Sequence, residues 1–165
     1  MQHQLQFEQW VPFPVGDVFA FFSNPENLPR IMPASSETKL IVLHRTPPPG
    51  LTSEKAAGVG STIVTSFRVF PFLPLRAQWI ARITEFEWNH YFADVQEKGP
   101  FKHWHHRHEF TAEPRDGIAG TLVHDVIEYE VGFGFLGLIA NALFIRRQMR
   151  STFTQRQQVL VKLLS

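Results

Sequence analysis

The sequence predicts an α+β fold in which seven strands form a curved antiparallel sheet around one long C-terminal helix, with two short helices after the first strand. Apolar and polar residues alternate along most of the chain before residue 131, and this period of two is typical of half-buried strands. From Gly134 to the end, apolar residues recur at helical spacing and form a single stripe. Because the strands come first and the striped helix last, we expect the helix to cover one sheet face.

The first 33 residues contain the first strand and both short helices. Residues 4 to 12 alternate and predict a strand. At Pro14 the spacing of apolar residues becomes helical, and proline is tolerated at the start of a helix. Asn24 followed by Pro25 is typical of a helix N-cap and first position, so a second short helix should run until Pro33 ends it.

The remaining strands are separated by turn-forming residues, namely prolines, glycines and the Asn-His pair. Residues 38 to 44 read as strand two, and residues 45 to 59, with three successive prolines, read as a long loop that either covers a site or connects mobile parts. Five further strands are expected near residues 60–70, 75–88, 91–98, 101–113 and 119–131.

Composition indicates one globular domain over residues 1–165. Hydrophobic residues make up 44% and charged residues 19%, and 16 Phe and 4 Trp are unusually many. The net charge is only +1 and the basic residues are dispersed, so a nucleic-acid partner is not expected. Without cysteine, disulfides, thiolate metal sites and cysteine nucleophiles are excluded.

The chain shows neither a secretion signal nor a membrane span. Its start, MQHQLQFEQW, lacks a basic and an apolar region, so we expect a cytoplasmic protein. The nearly uncharged stretch from 131 to 145 is shorter than the ~20 residues that cross a bilayer. A buried helix without stable membrane insertion is therefore expected there.

The strand period assigns one face of each late strand to the interior. On residues 101–113, the inward set is Trp104, His106, His108 and Phe110, and the solvated set is His103, His105, Arg107 and Glu109. On residues 119–131, the inward set is Thr121, Val123, Asp125, Ile127, Tyr129 and Val131. Shared faces also hold Trp79, Ala81 and Ile83, and Phe92, Asp94 and Gln96. Aromatic walls with a few polar groups are typical of a small-molecule pocket, but a close-packed core with internally paired polar groups is the alternative.

The two inward histidines admit three interpretations. His106 and His108 lie two apart on one strand face, and Asp125 or Asp94 could complete a metal site. A buried hydrogen-bonded pair of His106 and Asp125 is the simpler interpretation, and we expect neither a metal nor another cofactor. In an enzyme, His106 would act as general acid or base oriented by Asp125, with Tyr129 or His108 polarising a carbonyl. No nucleophile with an oxyanion site is evident, so binding without turnover is preferred.

Two further features bear on the ligand. Arg156 lies on the inner stripe of the long helix, where it either meets a ligand carboxylate or phosphate, pairs with Asp94 or Asp125, or extends to solvent.

The turn at 67 to 76 carries Phe70, Phe72 and Leu73. These apolar residues could touch a membrane surface, close the mouth of a cavity together with Leu28, Ile31 and Met32, or form a homodimer contact. We favour the mouth.

Four segments resemble the START-like, or SRPBCC, superfamily, which includes polyketide cyclases, lipid-transfer domains, coenzyme Q-binding proteins and plant allergens. They are VPFPVGDVFAFFSNPENLPRIMP, GPFKHWHHRHEF, GTLVHDVIEYEVGFGFLG and RRQMRSTFTQRQQVL. The resemblance implies a helix-grip fold with a deep cavity between sheet and helix. It implies less about activity, because this superfamily includes carriers, receptors and enzymes.

We therefore expect a protein that binds a small hydrophobic molecule, such as a lipid, quinone, polyketide or aromatic compound. The alternatives are a cyclase, dehydratase or hydrolase that uses His106 and Asp125, and a lipid or quinone chaperone at a membrane surface. The expected ligand-binding residues are Trp79, Phe92, Asp94, Gln96, Trp104, His106, His108, Phe110, Asp125, Tyr129, Met149, Phe153 and Arg156.

Overall fold

A computed structural model describes residues 1–50, 54–68, 75–132 and 141–165, except the side chains of residues 141 and 142. The strands are β1 (Gln2–Val11), β2 (Lys39–His44), β3 (Thr62–Arg68), β4 (Arg76–Glu87), β5 (Tyr91–Lys98), β6 (His103–Ala112) and β7 (Thr121–Glu130). The helices are α1 (Val15–Ser23), α2 (Leu28–Ile31) and α3 (Arg146–Leu164). Short 3₁₀ turns occupy Pro25–Asn27 and Ala34–Ser36, and a π-helical turn, Asn141–Ile145, leads into α3.

The seven strands form one antiparallel sheet in the order β1-β7-β6-β5-β4-β3-β2. Strands β2 to β7 follow one another as a meander, whereas β1 pairs with β7 at the far edge. The pairing of β4 with β5 shifts register twice, and that of β2 with β3 once. Because bulges bend strands and increase their twist, these shifts help the sheet to curve around α3.

Two apolar clusters fill the space that the curved sheet encloses. The α1 cluster surrounds Phe19, which has no exposed surface and lies 5.1 to 6.0 Å, centroid to centroid, from four other aromatic rings. The Trp104 cluster consists of Leu5, Trp104, Ile127, Tyr129, Met149 and Phe153, with Phe7, Trp79 and Phe101 packed against it. The surplus of aromatic residues is thus largely placed in these clusters.

All seven predicted strands exist, and each of their ends lies within two residues of the prediction. Asn24 caps as expected, since its side chain accepts a hydrogen bond from the Glu26 N–H at 3.1 Å. The second short helix is shorter than predicted, because a 3₁₀ turn precedes the single turn of α2. The predicted start of the long helix near Gly134 and the apolar residues of the 67–76 turn lie outside the described residues.

The described parts of the proline-rich loop pack against the body of the protein. The Ala57 N–H donates to the Ser23 carbonyl at 2.9 Å, and the Trp88 indole donates to the Pro49 carbonyl at 2.7 Å. Gly58 is required where it lies, because a Cβ there would come within 2.7 Å of the Pro48 backbone. Among the described residues, no helix has the length and apolar character needed to cross a bilayer.

Candidate functional site

A band of polar side chains separates the two apolar clusters and crosses both the sheet and α3. We call it the polar band, and it consists of Gln9, Asp94, His106, His108, Asp125 and Arg156. On β7, for example, Asp125 points inward between Val123 of the α1 cluster and Ile127 of the Trp104 cluster. The alternation of each strand places these side chains inward, and the strand register brings them side by side.

Asp125 is the centre of the polar band. Its Oδ1 accepts a hydrogen bond from His106 Nε2 at 3.1 Å. The same oxygen lies 2.6 Å from His108 Nδ1, but that nitrogen is not aligned for a hydrogen bond and is buried without another partner. All three residues are at most 7% exposed. The hydrogen-bonded pair expected from the sequence is therefore present, but it leaves His108 incompletely satisfied.

The polar band holds one carboxylate ionised and one imidazole neutral. Burial raises the pKa of Asp125, but the charge of His108 and the hydrogen bond and charge of His106 outweigh it and hold this pKa far below its usual range. Burial lowers the pKa of His106 to about 4, and the charge of His108 acts in the same direction. At neutral pH His106 is therefore neutral, and its Nε2–H donates to ionised Asp125. Burial raises the pKa of Asp94.

Arg156 brings a positive charge to the helix side of the polar band. Its guanidinium carbon lies 4.7 Å from the centroid of the Phe153 ring, a cation–π contact. Burial lowers the pKa of Arg156, while the nearby carboxylates of Asp125 and Asp94 oppose this shift. Within the described residues, Arg156 forms neither a hydrogen bond nor an ion pair, so the pairing considered from the sequence does not occur there. Its donors remain available, and the side chain is partly exposed.

The space beside this guanidinium is small. A cavity between the sheet and α3 offers about 10 Å³ to the centre of a water molecule, which is room for about one water. Its lining residues are Gln9, Phe22, Ile31, Val123, Asp125, Phe153, Arg156, Gln157 and Leu160. Beside Arg156, the described residues are therefore closely packed.

The other predicted ligand-binding residues are distributed over the two clusters. Phe92 and Phe110 belong to the α1 cluster, and Trp79, Trp104, Tyr129 and Met149 to the Trp104 cluster. Tyr129 lies four residues from Asp125 along β7, about 13 Å at the rise of a strand, so the two are not brought together. Gln96 is engaged with Phe101, donating to its carbonyl at 2.7 Å and accepting from its N–H at 3.2 Å.

The opposite face of β6 is solvated, as the alternation predicts. His105, Arg107 and Glu109 form ion pairs there with Glu85 and His124. Arg107 also lies over the Tyr91 ring at 3.8 Å.

Sequence reasoning missed two glutamines that join the sheet to α3. Gln9 Nε2 donates to the Gln157 carbonyl at 2.8 Å, and Gln157 Nε2 donates to the Glu8 carbonyl at 3.0 Å. The available signal was Gln9 itself, a polar residue between Phe7 and Val11 on the inward face of β1.

Three residues of the polar band could hold a metal ion. Asp94, His106 and His108 each offer one ligand atom, and these atoms lie within 4.8 Å of one another. His106 Nδ1 is 3.9 Å from Asp94 Oδ1. This cluster is the set that the sequence interpretation considered, with Asp94 rather than Asp125 as the carboxylate.

A curved antiparallel sheet closed by a long C-terminal helix, with polar groups enclosed between them, is the helix-grip fold, which is a ligand-binding fold. Residues 11–158 match the family model described as polyketide cyclase / dehydrase and lipid transport. Since this match covers most of the chain, the protein belongs to that family.

Solved structures with the same fold come from distant organisms. A protein from Thermus thermophilus is 15% identical with a TM-score of 0.66, covering 98% of this chain and 97% of that one. Norcoclaurine synthase from Thalictrum flavum is 15% identical with a TM-score of 0.66, covering 99% and 87%. A Chromobacterium violaceum protein is 13% identical with a TM-score of 0.67, covering 98% and 96%. At such identities the likeness shows the fold alone. No curated protein matches the chain.

Proposed function

We propose that this protein binds a small, mainly apolar molecule between the sheet and α3 without converting it. The expected ligand is a lipid, quinone, polyketide or aromatic compound with at least one polar group. The observation that carries the proposal is the polar band, a set of charged and hydrogen-bonding groups kept inside an interior that is otherwise aromatic.

The polar band is not fully satisfied by the protein itself. His108 Nδ1 is buried without a hydrogen-bond partner, as is Trp104 Nε1 in the neighbouring cluster, and the partly exposed Arg156 donates no hydrogen bond to any described residue. An unsatisfied buried donor costs about 1–3 kcal/mol, so a packing role alone would favour apolar residues here. A carbonyl, phenolate or carboxylate on the ligand would supply the missing acceptors, and ionised Asp125 would accept from a ligand hydroxyl.

The ligand must enlarge the space that it occupies. The cavity beside Arg156 offers only about 10 Å³, so a ligand bound at that point has to displace the lining side chains or α3. On its β1 side, α3 is joined by the two glutamine hydrogen bonds at Gln9 and Gln157, one part-buried and one exposed. Each such bond contributes only about 1 kcal/mol net, but the stack of Phe153 on Phe7 also joins α3 to β1 and would have to be broken as well.

The first test is native mass spectrometry of the purified protein, followed by extraction and identification of any small molecule that co-purifies.

The second test compares the binding affinities of a fatty acid and its methyl ester. They are measured for the wild type, for Arg156→Met and for the control Arg150→Met, which changes an exposed arginine of the same helix. We expect Arg156→Met to weaken fatty-acid binding by about 10-fold or more and to leave the ester unchanged. No binding of any apolar compound, or equal losses in both variants, would contradict the proposal.

Aromatic compounds are the natural first members of a ligand screen. Norcoclaurine synthase, which has a similar fold, has been solved in complex with dopamine and hydroxybenzaldehyde. Both molecules combine an aromatic ring with polar groups, as the arrangement of apolar clusters around the polar band requires.

Catalysis by His106 is the second candidate, and the hydrogen bond between His106 and Asp125 favours it. A neutral imidazole oriented by an ionised carboxylate is suited to proton transfer on a bound carbonyl compound. If the protein is an enzyme, His106→Ala abolishes turnover while an apolar ligand still binds. If it is a carrier, the same change only shifts affinity.

Location and assembly stay predictions of the sequence. Cell fractionation tests the cytoplasmic location, and light scattering tests the homodimer. Charged replacements of Phe70 and Phe72 test a role at a membrane surface, since such a role requires them to reduce liposome binding.

A further inference from the structure

We propose that Asp94, His106 and His108 form a binding site for a divalent transition-metal ion on the concave face of the sheet. The site goes beyond the binding of an apolar ligand and does not depend on it.

The strand register builds the site from two neighbouring strands. Asp94 of β5 lies directly opposite His106 of β6, and Phe92 lies opposite His108. Asp94, His106 and His108 therefore share one face at the closest spacing that the sheet allows. One ligand atom of each lies within 4.8 Å of the others, and Asp94 Oδ1 is 3.9 Å from His106 Nδ1. Two ligands bound at 2.0–2.2 Å to one ion are about 3–4 Å apart, so small side-chain rotations complete the geometry.

Asp125 orients both histidines from behind. It accepts from His106 Nε2 at 3.1 Å and lies 2.6 Å from His108 Nδ1. His106 Nε2 is thus engaged by this carboxylate, which leaves His106 Nδ1 for an ion, and His108 offers one of its ring nitrogens. A carboxylate behind a histidine ligand is the usual support of a protein metal site, because it fixes the orientation of the ring.

A purely structural pair does not account for the whole cluster. The bond between His106 and Asp125 satisfies those two groups, yet His108 Nδ1 is buried without an aligned acceptor and Asp94 remains 3.9 Å from His106. Arg156, the nearby cation, forms no ion pair with either carboxylate among the described residues. Asp94 and His108 are thereby left with unused ligand atoms, both directed into the interior.

The donor set selects the class of ion. Two imidazole nitrogens and one carboxylate oxygen suit Zn²⁺, Co²⁺, Ni²⁺, Cu²⁺ or Fe²⁺, whereas Mg²⁺ and Ca²⁺ prefer oxygen ligands alone. Three protein ligands leave at least one coordination position open. Phe153 is a neighbour of the site, since its ring centroid lies 5.4 Å from that of His106.

The test uses the full chain, stripped with a chelator and titrated with Co²⁺ and Zn²⁺. We expect one ion per chain by elemental analysis and a visible Co²⁺ band of low-symmetry nitrogen and oxygen ligation. Asp94→Asn and His108→Asn should each lower affinity by more than 10-fold, and Asp125→Asn by about 10–100-fold. The matched control is His105→Asn, since this histidine lies on the opposite face of the same strand.

X-ray absorption of the Zn²⁺-loaded wild type identifies the ligand atoms around zinc directly. Because it needs no substitution, it does not depend on whether a variant folds. Two imidazoles and at least one oxygen around zinc support the proposal. Binding of less than one ion per chain, or affinity that falls equally in His105→Asn, would show only adventitious binding at surface histidines and overturn it.

Discussion

Truncation of Phe153 tests whether the space between the sheet and α3 is filled as described. The ring is 4% exposed, stacks on Phe7 at 4.6 Å with an interplanar angle of 5°, and meets His106 edge-on at 5.4 Å. Burial of the ring is worth about 2–3 kcal/mol and the stacked pair about 0.5–1.5 kcal/mol more. With the cavity that remains, we expect Phe153→Ala to lower the free energy of unfolding by about 3–5 kcal/mol.

The assay is equilibrium unfolding in guanidinium chloride at neutral pH, with the exposed Thr154→Ala of the same helix as the control. The vacated space is bordered by the apolar Trp104 cluster and by the polar band, so indole, which has a ring and a donor, should recover part of the loss when added in excess, about 2.7 kcal/mol at one hundred times its dissociation constant. A loss below about 1 kcal/mol would refute the reasoning, because it would mean that the interior beside Phe153 is already open or hydrated.

Three further substitutions probe the polar band, the outer face and one tight contact. Asp125→Asn should cost about 1.5–3 kcal/mol of unfolding free energy in the metal-free protein, since an amide replaces the charged acceptor of the His106 hydrogen bond; an unchanged or raised stability would contradict the account of the polar band. Glu109→Gln on the outer face, measured by the same denaturation, should cost at most about 1 kcal/mol because its ion pairs are solvated. Gly120→Ala should cost about 1–3 kcal/mol, because its Cβ would lie 2.4 Å from the Trp10 ring; an unchanged thermal midpoint would show that Trp10 gives way freely.

The strands and their inward faces could be predicted because each depends on a local period. On β6, Trp104, His106, His108 and Phe110 alternate with charged residues, and a strand with this pattern has one way to bury its aromatic rings. The length of α2 could not be predicted from the sequence. Asn24 caps the 3₁₀ turn that precedes α2, and a cap marks where a helical segment starts but not how long it is.

The candidate site could be predicted only in part, because register is not a local property. The pattern placed Asp94 and His106 on inward faces, but their direct opposition depends on how β5 and β6 slide against each other. The pattern also could not set the distance between α3 and the sheet. That distance depends on the combined volume of the aromatic side chains, and beside Arg156 it leaves space for about one water.

The pairing of the first strand with the last has a consequence for biosynthesis. Gln2 lies opposite Glu130, so β1 leaves the ribosome early and finds its partner only after most of the chain has been made. Closing so long a loop is slow, and the strands of the meander assemble through closer contacts first. The helix that seals the concave face is synthesised later still. A molecule present during translation therefore meets an open sheet, whereas one that arrives afterwards must separate α3 from β1.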